Sequence, residues 1–162
     1  MSDKYRVLFV CLGNICRSPM AHGVFRAKLA KAGLLGKVEI DSAGIGGWHV
    51  GNSPDERAQE HSERRGYDLS DLRARKVTRD DFTTFDRIIG MDDDNLHDLN
   101  ALSGPENAEK VSLFMSYAPH IGGAIPDPYY GGDEGFTHAL DLIEAASDGL
   151  IEAIRPKIQA RG

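Results

Sequence analysis

Cys11 and Arg17 are the residues whose types and spacing point most directly to chemistry. The apolar residues 7–10 end at Cys11, and a short loop containing Gly13 leads to Arg17 at the start of a helix. The first N–H groups of a helix have no intrahelical partner and carry partial positive charge, so a loop above them can surround an anion. The same field favours a thiolate, and a guanidinium can hold two phosphate oxygens. The segment therefore predicts a phosphate-binding loop with a nucleophilic sulfur at its base.

Asp127 is the candidate general acid. It lies between Pro126 and Pro128, in a segment too rich in proline and glycine to form a helix or a central strand. Protonation of a departing aryl oxide typically accelerates cleavage by ~10²-fold to 10⁴-fold. The carboxylate would then act as a base and activate water against the thiophosphate intermediate. The spacing in the sequence leaves open whether Asp127 reaches Cys11 in space.

Two segments carry a family resemblance. Residues 10–19 resemble the signature loop of the low-molecular-weight protein tyrosine phosphatases, and residues 127–130 resemble that family's acid loop. Further landmarks of the family follow in the expected order at residues 41–44, 48–51, 74–75, 81–82, 85–86, 91–92 and 95. The resemblance covers nearly the whole chain. It implies hydrolysis of phosphotyrosine in proteins, and of aryl phosphates, through a cysteinyl-phosphate intermediate, with Cys11 as nucleophile, Arg17 stabilising the transition state and Asp127 as general acid and base.

The resemblance also implies the rest of the site. Asn14 would hold the loop through hydrogen bonds with Ser18 and Ser42, and Ser18 would also bond the sulfur and ease its departure. Trp48 and Tyr129 would enclose a phenyl ring and set the depth that separates phosphotyrosine from the shorter phosphoserine. The expected phosphate-loop and substrate-binding residues are Leu12, Gly13, Asn14, Ile15, Cys16, Ser18, Ser42, Trp48, Tyr129 and Tyr130. Asp92 is expected near the loop.

Two positions bear on how closely the family pattern is followed. Many members carry a histidine where this chain has Leu72, and that histidine supports the hydrogen-bond network of the loop. The stiffness of the Asn14 network is therefore left open. A threonine at the position of Ile15 accompanies specificity for phosphoarginine in one subgroup, so isoleucine favours phosphotyrosine.

Cys16 and the two tyrosines of the acid loop suggest regulation. Cys16 would lie close to Cys11 and could trap an oxidised sulfur as a disulfide, although a small buried residue is an equally good interpretation. Phosphorylation of Tyr129 or Tyr130 is a further hypothesis, and it would make a tyrosine kinase a partner. The expected partners are otherwise a phosphotyrosine-containing protein as substrate and inorganic phosphate as product.

Two alternative functions remain. An arsenate reductase shares this fold and anion loop, but it relays electrons through a further pair of cysteines, whereas this chain has 2 cysteines in total. A non-catalytic phosphotyrosine-binding module is the other alternative. The presence of a nucleophile, an arginine and an acid together argues against it.

Composition limits the remaining classes. The chain has 162 residues, which fits one domain over residues 1–162, and a net charge of −6, which argues against nucleic acid as a partner. No apolar run approaches the ~18 residues that cross a bilayer, and no signal peptide pattern is present, so we expect no membrane insertion and a cytoplasmic location. The run Asp92, Asp93 and Asp94 is interpreted as helix capping, and the histidines show no metal-ligand spacing. We expect neither a metal nor a cofactor.

The elements that must position these residues alternate between strand and helix. Strands are predicted at residues 6–10, 38–41, 85–91 and 111–115, and helices at residues 18–33, 54–66, 93–102 and 136–158. Ser53 is the predicted N-cap of the second helix, with Pro54 at its first position, and Asp92 is the predicted N-cap of the third. The pattern predicts an α/β fold with three layers, in which helices flank a four-stranded, doubly wound parallel sheet of the flavodoxin-like type. The phosphate-binding loop would follow the first strand.

Overall fold

The computed structural model describes residues 4–129 and 132–161. Its strands are β1 (Tyr5–Cys11), β2 (Val38–Gly44), β3 (Arg87–Gly90) and β4 (Val111–Leu113). Its α-helices are α1 (Arg17–Lys31), α2 (Glu56–Arg64), α3 (Asp81–Thr84), α4 (Asp93–Ser103) and α5 (Asp133–Arg161). Short 3₁₀ helices lie at Leu35–Lys37, Pro105–Lys110 and Phe114–Tyr117.

The four strands form one parallel sheet in the order β2-β1-β3-β4. β1 is central, and its apolar side chains divide between the two faces of the sheet. Val7 and Phe9 join a core that includes residues of α1 and α5, whereas Leu8 and Val10 join a second core that includes residues of α3 and α4. Because both faces are covered, a continuous apolar run is what β1 requires. The predicted α/β fold with three layers and four parallel strands is confirmed.

The helix starts agree with the prediction at one place and differ at another. Asp92 caps α4 as predicted, and its side chain accepts a hydrogen bond from the Asn95 amide. The prediction of Ser53 as the cap of α2 is wrong. The cap is Asp55, whose carboxylate accepts from the amides of Arg57 and Ala58. A carboxylate satisfies two free amides and also favours the positive helix end, so it is the stronger cap.

The fourth strand is shorter than predicted. β4 pairs with β3 through three residues and then turns into the 3₁₀ helix Phe114–Tyr117, which packs on α5. The helix α5 continues through Pro156. Within the part of the chain that the structure describes, no helix has the length and apolar character needed to span a membrane.

Candidate active site

The loop of residues 12–16 joins the carboxyl end of β1 to α1. It contacts the last residue of β2 and the two residues that follow it. The amides of Ile45 and Gly46 donate to the carbonyls of Cys11 and Leu12 over 2.9 Å each, which extends the pairing of β1 and β2 past the strand ends. A Cβ atom at Gly44 would lie 3.0 Å from the carbonyl carbon of Gly13, so the loop backbone lies directly against this glycine. The loop can therefore sit close to the sheet edge.

The sulfur of Cys11 is the base of the loop. The side chain is buried, with 3% of the residue exposed, and the Asn14 amide donates to the sulfur over 3.3 Å. The Ser18 hydroxyl lies 3.1 Å from the sulfur. The Asn14 side-chain amide donates to the Ser18 oxygen over 2.8 Å, so the Ser18 proton is left for an acceptor. When the sulfur is a thiolate, it is the stronger and nearer acceptor than the Ala43 carbonyl, which lies 3.4 Å from the Ser18 oxygen. Two donors thus converge on one atom.

Asn14 organises the loop, but not through the partners expected. Its φ of 59° lies in the left-handed region, and its side chain donates to Ser18 and accepts from the Arg75 amide over 2.9 Å. The expected bond between Asn14 and Ser42 is wrong. Ser42 is paired in register with Phe9, two positions before the end of β2, and its hydroxyl lies 3.3 Å from Nδ1 of His22 on α1 instead.

The Asn14 network closes without the histidine that many family members carry. Both polar groups of the Asn14 side chain are bonded, and Leu72 is buried within the larger apolar core. The backbone amide of Arg75 therefore supplies a clamp that does not depend on the side chain at position 72. Both polar groups of the Asn14 side chain thus have partners in a chain that carries leucine at position 72.

Arg17 is held below the loop by three oxygen atoms. Its Nη1 atom donates to Asp92 over 2.5 Å and to the Ile125 carbonyl over 3.1 Å, and its Nη2 atom lies 3.6 Å from Asp127 Oδ2. Burial of the guanidinium works against its charge, but the negative charges of Cys11, Asp92 and Asp127 outweigh that cost and raise the pKa of Arg17. The side chain is thus a permanent cation in a fixed orientation.

The fold brings Asp127 to the same cleft as Cys11. Asp127 Oδ1 accepts from the Tyr129 amide over 3.1 Å, and 37% of the Asp127 side chain is exposed. The cleft has a volume of about 260 Å³ and is lined by Cys11, Leu12, Gly13, Ile15, Cys16, Arg17, Trp48, His49, Asp127 and Tyr129. The exposed residues Trp48 and Tyr129 stand at the mouth of the cleft. The buried residues Cys11 and Arg17 lie at its floor. Tyr130 lies outside the described residues.

Several residues around the cleft were not found from the sequence. His49 is part of the lining, and its Cδ2 atom would touch any side chain at Gly13. Its position beside the predicted Trp48 was the available signal. No signal in the sequence indicated that Asp55 and Arg57 contact the two functional loops, because the Ile15 and Tyr129 carbonyls that they bind are distant in sequence.

Asp55 and Arg57 connect the two functional loops. The amide of Asp55 donates to the Ile15 carbonyl over 2.8 Å, and the Asp55 carboxylate holds the guanidinium of Arg57. Arg57 in turn donates to the Tyr129 carbonyl over 2.8 Å and lies over the Tyr129 and Phe136 rings. The start of α2 therefore fixes the acid loop relative to the cysteine loop.

Cys16 is buried and uncharged. Both cysteines are free, and 4% of Cys16 is exposed. Burial raises the pKa of the Cys16 thiol, and the negative charges of Asp55 and Cys11 raise it further. Cys16 is thus the protonated neighbour of a sulfur that two hydrogen-bond donors approach. The structure brings together no group of three or more His, Cys, Asp or Glu side chains in metal-binding geometry within residues 4–129 and 132–161.

The Cys11 sulfur bonded by a loop amide, the buried guanidinium of Arg17, the Asp127 carboxylate and two aromatic rings share one cleft on a parallel α/β sheet. Together they define a binding site for an aromatic phosphate ester. A family model described as low molecular weight phosphotyrosine protein phosphatase matches residues 6–160. The chain belongs to this family.

Similar proteins come from bacteria and eukaryotes. The chain is 47% identical to a low molecular weight protein-tyrosine-phosphatase of Streptomyces coelicolor, over 97% of this chain and 98% of the relative. It is 49% identical to a low molecular weight phosphotyrosine protein phosphatase of Schizosaccharomyces pombe, over 95% of this chain and 99% of the relative.

Solved structures agree with the fold. A protein tyrosine phosphatase from Entamoeba histolytica with Hepes in its active site superimposes with a TM-score of 0.91 at 36% identity, covering 95% of this chain and 99% of that one. YfkJ from Bacillus subtilis superimposes with a TM-score of 0.89 at 42% identity, covering 95% of this chain and 96% of that one.

Proposed function

We propose that this protein hydrolyses phosphotyrosine in proteins, and aryl phosphates, through a cysteinyl-phosphate intermediate. The observation that carries the proposal is the convergence of three groups on one cleft: the Cys11 sulfur, the Arg17 guanidinium and the Asp127 carboxyl. Membership of the phosphatase family supports the same reaction.

In the first step, the Cys11 thiolate attacks phosphorus opposite the ester oxygen. The S–P bond forms and the P–O(aryl) bond breaks. The loop amides and Arg17 hold the equatorial oxygens, where negative charge is concentrated in the transition state. Asp127, protonated at this stage, transfers its proton to the departing phenolate. Trp48 and Tyr129 pack against the phenyl ring at the mouth of the cleft.

In the second step, Asp127 removes a proton from a water molecule that attacks the phosphorus. The S–P bond breaks, inorganic phosphate leaves, and Cys11 is again a thiolate. The hydroxyl of Ser18, 3.1 Å from the sulfur, stabilises the negative charge that returns to it. Asp92 keeps Arg17 aimed at the loop in both steps. Ser42 takes no part in either step, since its hydroxyl lies beside His22 and not beside the loop.

The remaining assignments are proposals of the same kind. Residues 1–162 form one phosphatase domain, which the match over residues 6–160 supports. A cytoplasmic location is supported by two cysteines that are both free. Tyr129, with its ring partly exposed at the cleft, is an acceptor for a tyrosine kinase. Cys16 forms a disulfide with an oxidised Cys11, a role that is supported by the presence of both cysteines in the lining of the cleft.

Turnover of p-nitrophenyl phosphate tests the mechanism. We expect no turnover from Cys11→Ser, and a loss of about 10²-fold to 10⁴-fold from Asp127→Ala because the leaving group is no longer protonated. Asp148→Ala, which removes an exposed carboxylate on α5, is the matched control and keeps full activity. Mass spectrometry of the rapidly quenched enzyme should show phosphate on Cys11. Turnover by Cys11→Ser would refute the covalent mechanism, and reduction of arsenate by the native chain would favour the reductase.

A further inference from the structure

The indole ring of Trp48 lies on the backbone of Gly46. A Cβ atom built at Gly46 would stand 2.0 Å from Cζ3, 2.3 Å from Cη2 and 2.4 Å from Cε3 of Trp48. Contacts of a real Cβ atom essentially never fall below 3.0 Å. The ring therefore occupies the space that any side chain at position 46 would need.

Backbone conformation is not the reason for glycine at this position. Gly46 is not among the glycines with positive φ, so an alanine could adopt its backbone angles. Its amide donates to the Leu12 carbonyl over 2.9 Å, a bond that alanine also makes. The three heavy atoms nearest to a Cβ atom at this position all belong to the indole ring. The neighbouring Gly47 differs, because a Cβ atom there would make ordinary contacts of 3.6 Å with Lys76 and Val50.

The position of this ring matters because Trp48 lines the cleft together with Tyr129. The residue is 69% exposed, so much of its surface faces solvent and the open cleft. The bare backbone of Gly46 provides a flat surface beneath the indole. A ring shifted by about 1 Å or more, which is what the clash at 2.0 Å demands, would move either outward into solvent or inward across the cleft.

We propose that Gly46 is a positioning residue that sets the specificity of the cleft for aryl phosphates by seating Trp48 on the loop. This inference rests on the proposed phosphatase function. Gly46 contacts neither phosphorus nor sulfur. It acts through Trp48, so its removal weakens recognition of the phenyl ring and leaves phosphate binding by the Cys11 loop unchanged.

Comparison of Gly46→Ala with Gly47→Ala tests the proposal, because the two variants add the same methyl group to adjacent glycines. Trp48 is the only tryptophan in the chain, so intrinsic fluorescence reports on this ring alone. We expect the emission maximum and acrylamide quenching to change in Gly46→Ala and to match the native protein in Gly47→Ala. KM for p-nitrophenyl phosphate should rise about two- to tenfold in Gly46→Ala, the range that an aromatic contact supplies. kcat and the inhibition constant of inorganic phosphate should stay at the native values.

A second pair of variants separates the positioning role from general damage to the loop. In a Trp48→Ala background there is no ring to displace, so adding Gly46→Ala should leave KM and thermal stability where Trp48→Ala alone puts them. The proposal would be overturned if Gly46→Ala raised KM or lowered thermal stability further in the Trp48→Ala background. Weaker inhibition of the Gly46→Ala variant by inorganic phosphate would also overturn it. So would a Gly46→Ala variant whose fluorescence and KM equal those of the native protein. If the native chain fails to hydrolyse aryl phosphates, the proposed function is wrong, whereas the fluorescence comparison still tests the seating of Trp48.

Discussion

His22 makes the stability of this fold depend on pH. The imidazole projects from α1 and is buried, with 6% of the residue exposed, and its Nδ1 atom lies 3.3 Å from the Ser42 hydroxyl of β2. Burial lowers the pKa of His22 to about 4, and the positive charge of Arg26 acts in the same direction. The carboxylates of Asp41 and Asp71 oppose the shift without cancelling it.

The direction of the effect follows from where the proton binds. The unfolded chain takes up a proton at an ordinary histidine pKa of about 6.5, whereas the folded chain resists protonation until about pH 4. Protonation of His22 therefore does not reduce the free energy of unfolding above a pH of about 6.5, the pKa of the unfolded chain. The free energy of unfolding falls as the pH decreases from there to about 4, the pKa of His22 in the folded chain. Protonation linkage gives a loss of about 2 kcal/mol at about pH 5, and about 3 kcal/mol below pH 4.

Urea unfolding of the native protein and of His22→Gln, at about pH 7.5 and about pH 5, measures this contribution. Glutamine keeps a hydrogen-bonding group near Ser42 and does not titrate. We expect the native protein to lose about 2 kcal/mol more than His22→Gln between the two pH values. His120→Gln, at an exposed position, is the control and should follow the native protein. Equal pH dependence in the native protein and His22→Gln would refute the reasoning.

Two further variants test the positioning of Arg17 and the packing of α5. Asp92→Asn keeps the oxygen that accepts from the Asn95 amide but places an NH2 group, which cannot accept, opposite Arg17 Nη1. The charge-assisted bond to Arg17 is therefore lost, and kcat/KM should fall at least about tenfold; unchanged kinetics would contradict the role of Asp92. Gly149→Ala should destabilise the fold by more than about 2 kcal/mol in urea unfolding, despite the better helix propensity of alanine, because the new Cβ atom would lie 1.7 Å from the Tyr117 carbonyl oxygen; a stabilised variant would contradict this packing.

The sequence alone determined the features that depend on neighbouring residues. The buried strand before Cys11, the loop with Gly13 and the helix beginning at Arg17 form one local unit, so their chemistry can be predicted from their order. The Asp92 cap is local in the same way, because its partner is the amide of Asn95. Strands alternating with helices were sufficient to predict a parallel sheet, since only crossover connections join parallel strands.

The tertiary structure decided which distant groups meet. The approach of Asp127 to Arg17 joins residues far apart in the chain and depends on how the segment after β4 returns to the sheet edge. The partners of Asn14 and Ser42 were decided by register, because a side chain two positions back along β2 faces α1 and not the loop. The bond from Arg57 to Tyr129 and the contact of Trp48 with Gly46 likewise follow from packing. Local patterns fix what each residue can do, whereas side-chain partners depend on distances that only the packed chain sets.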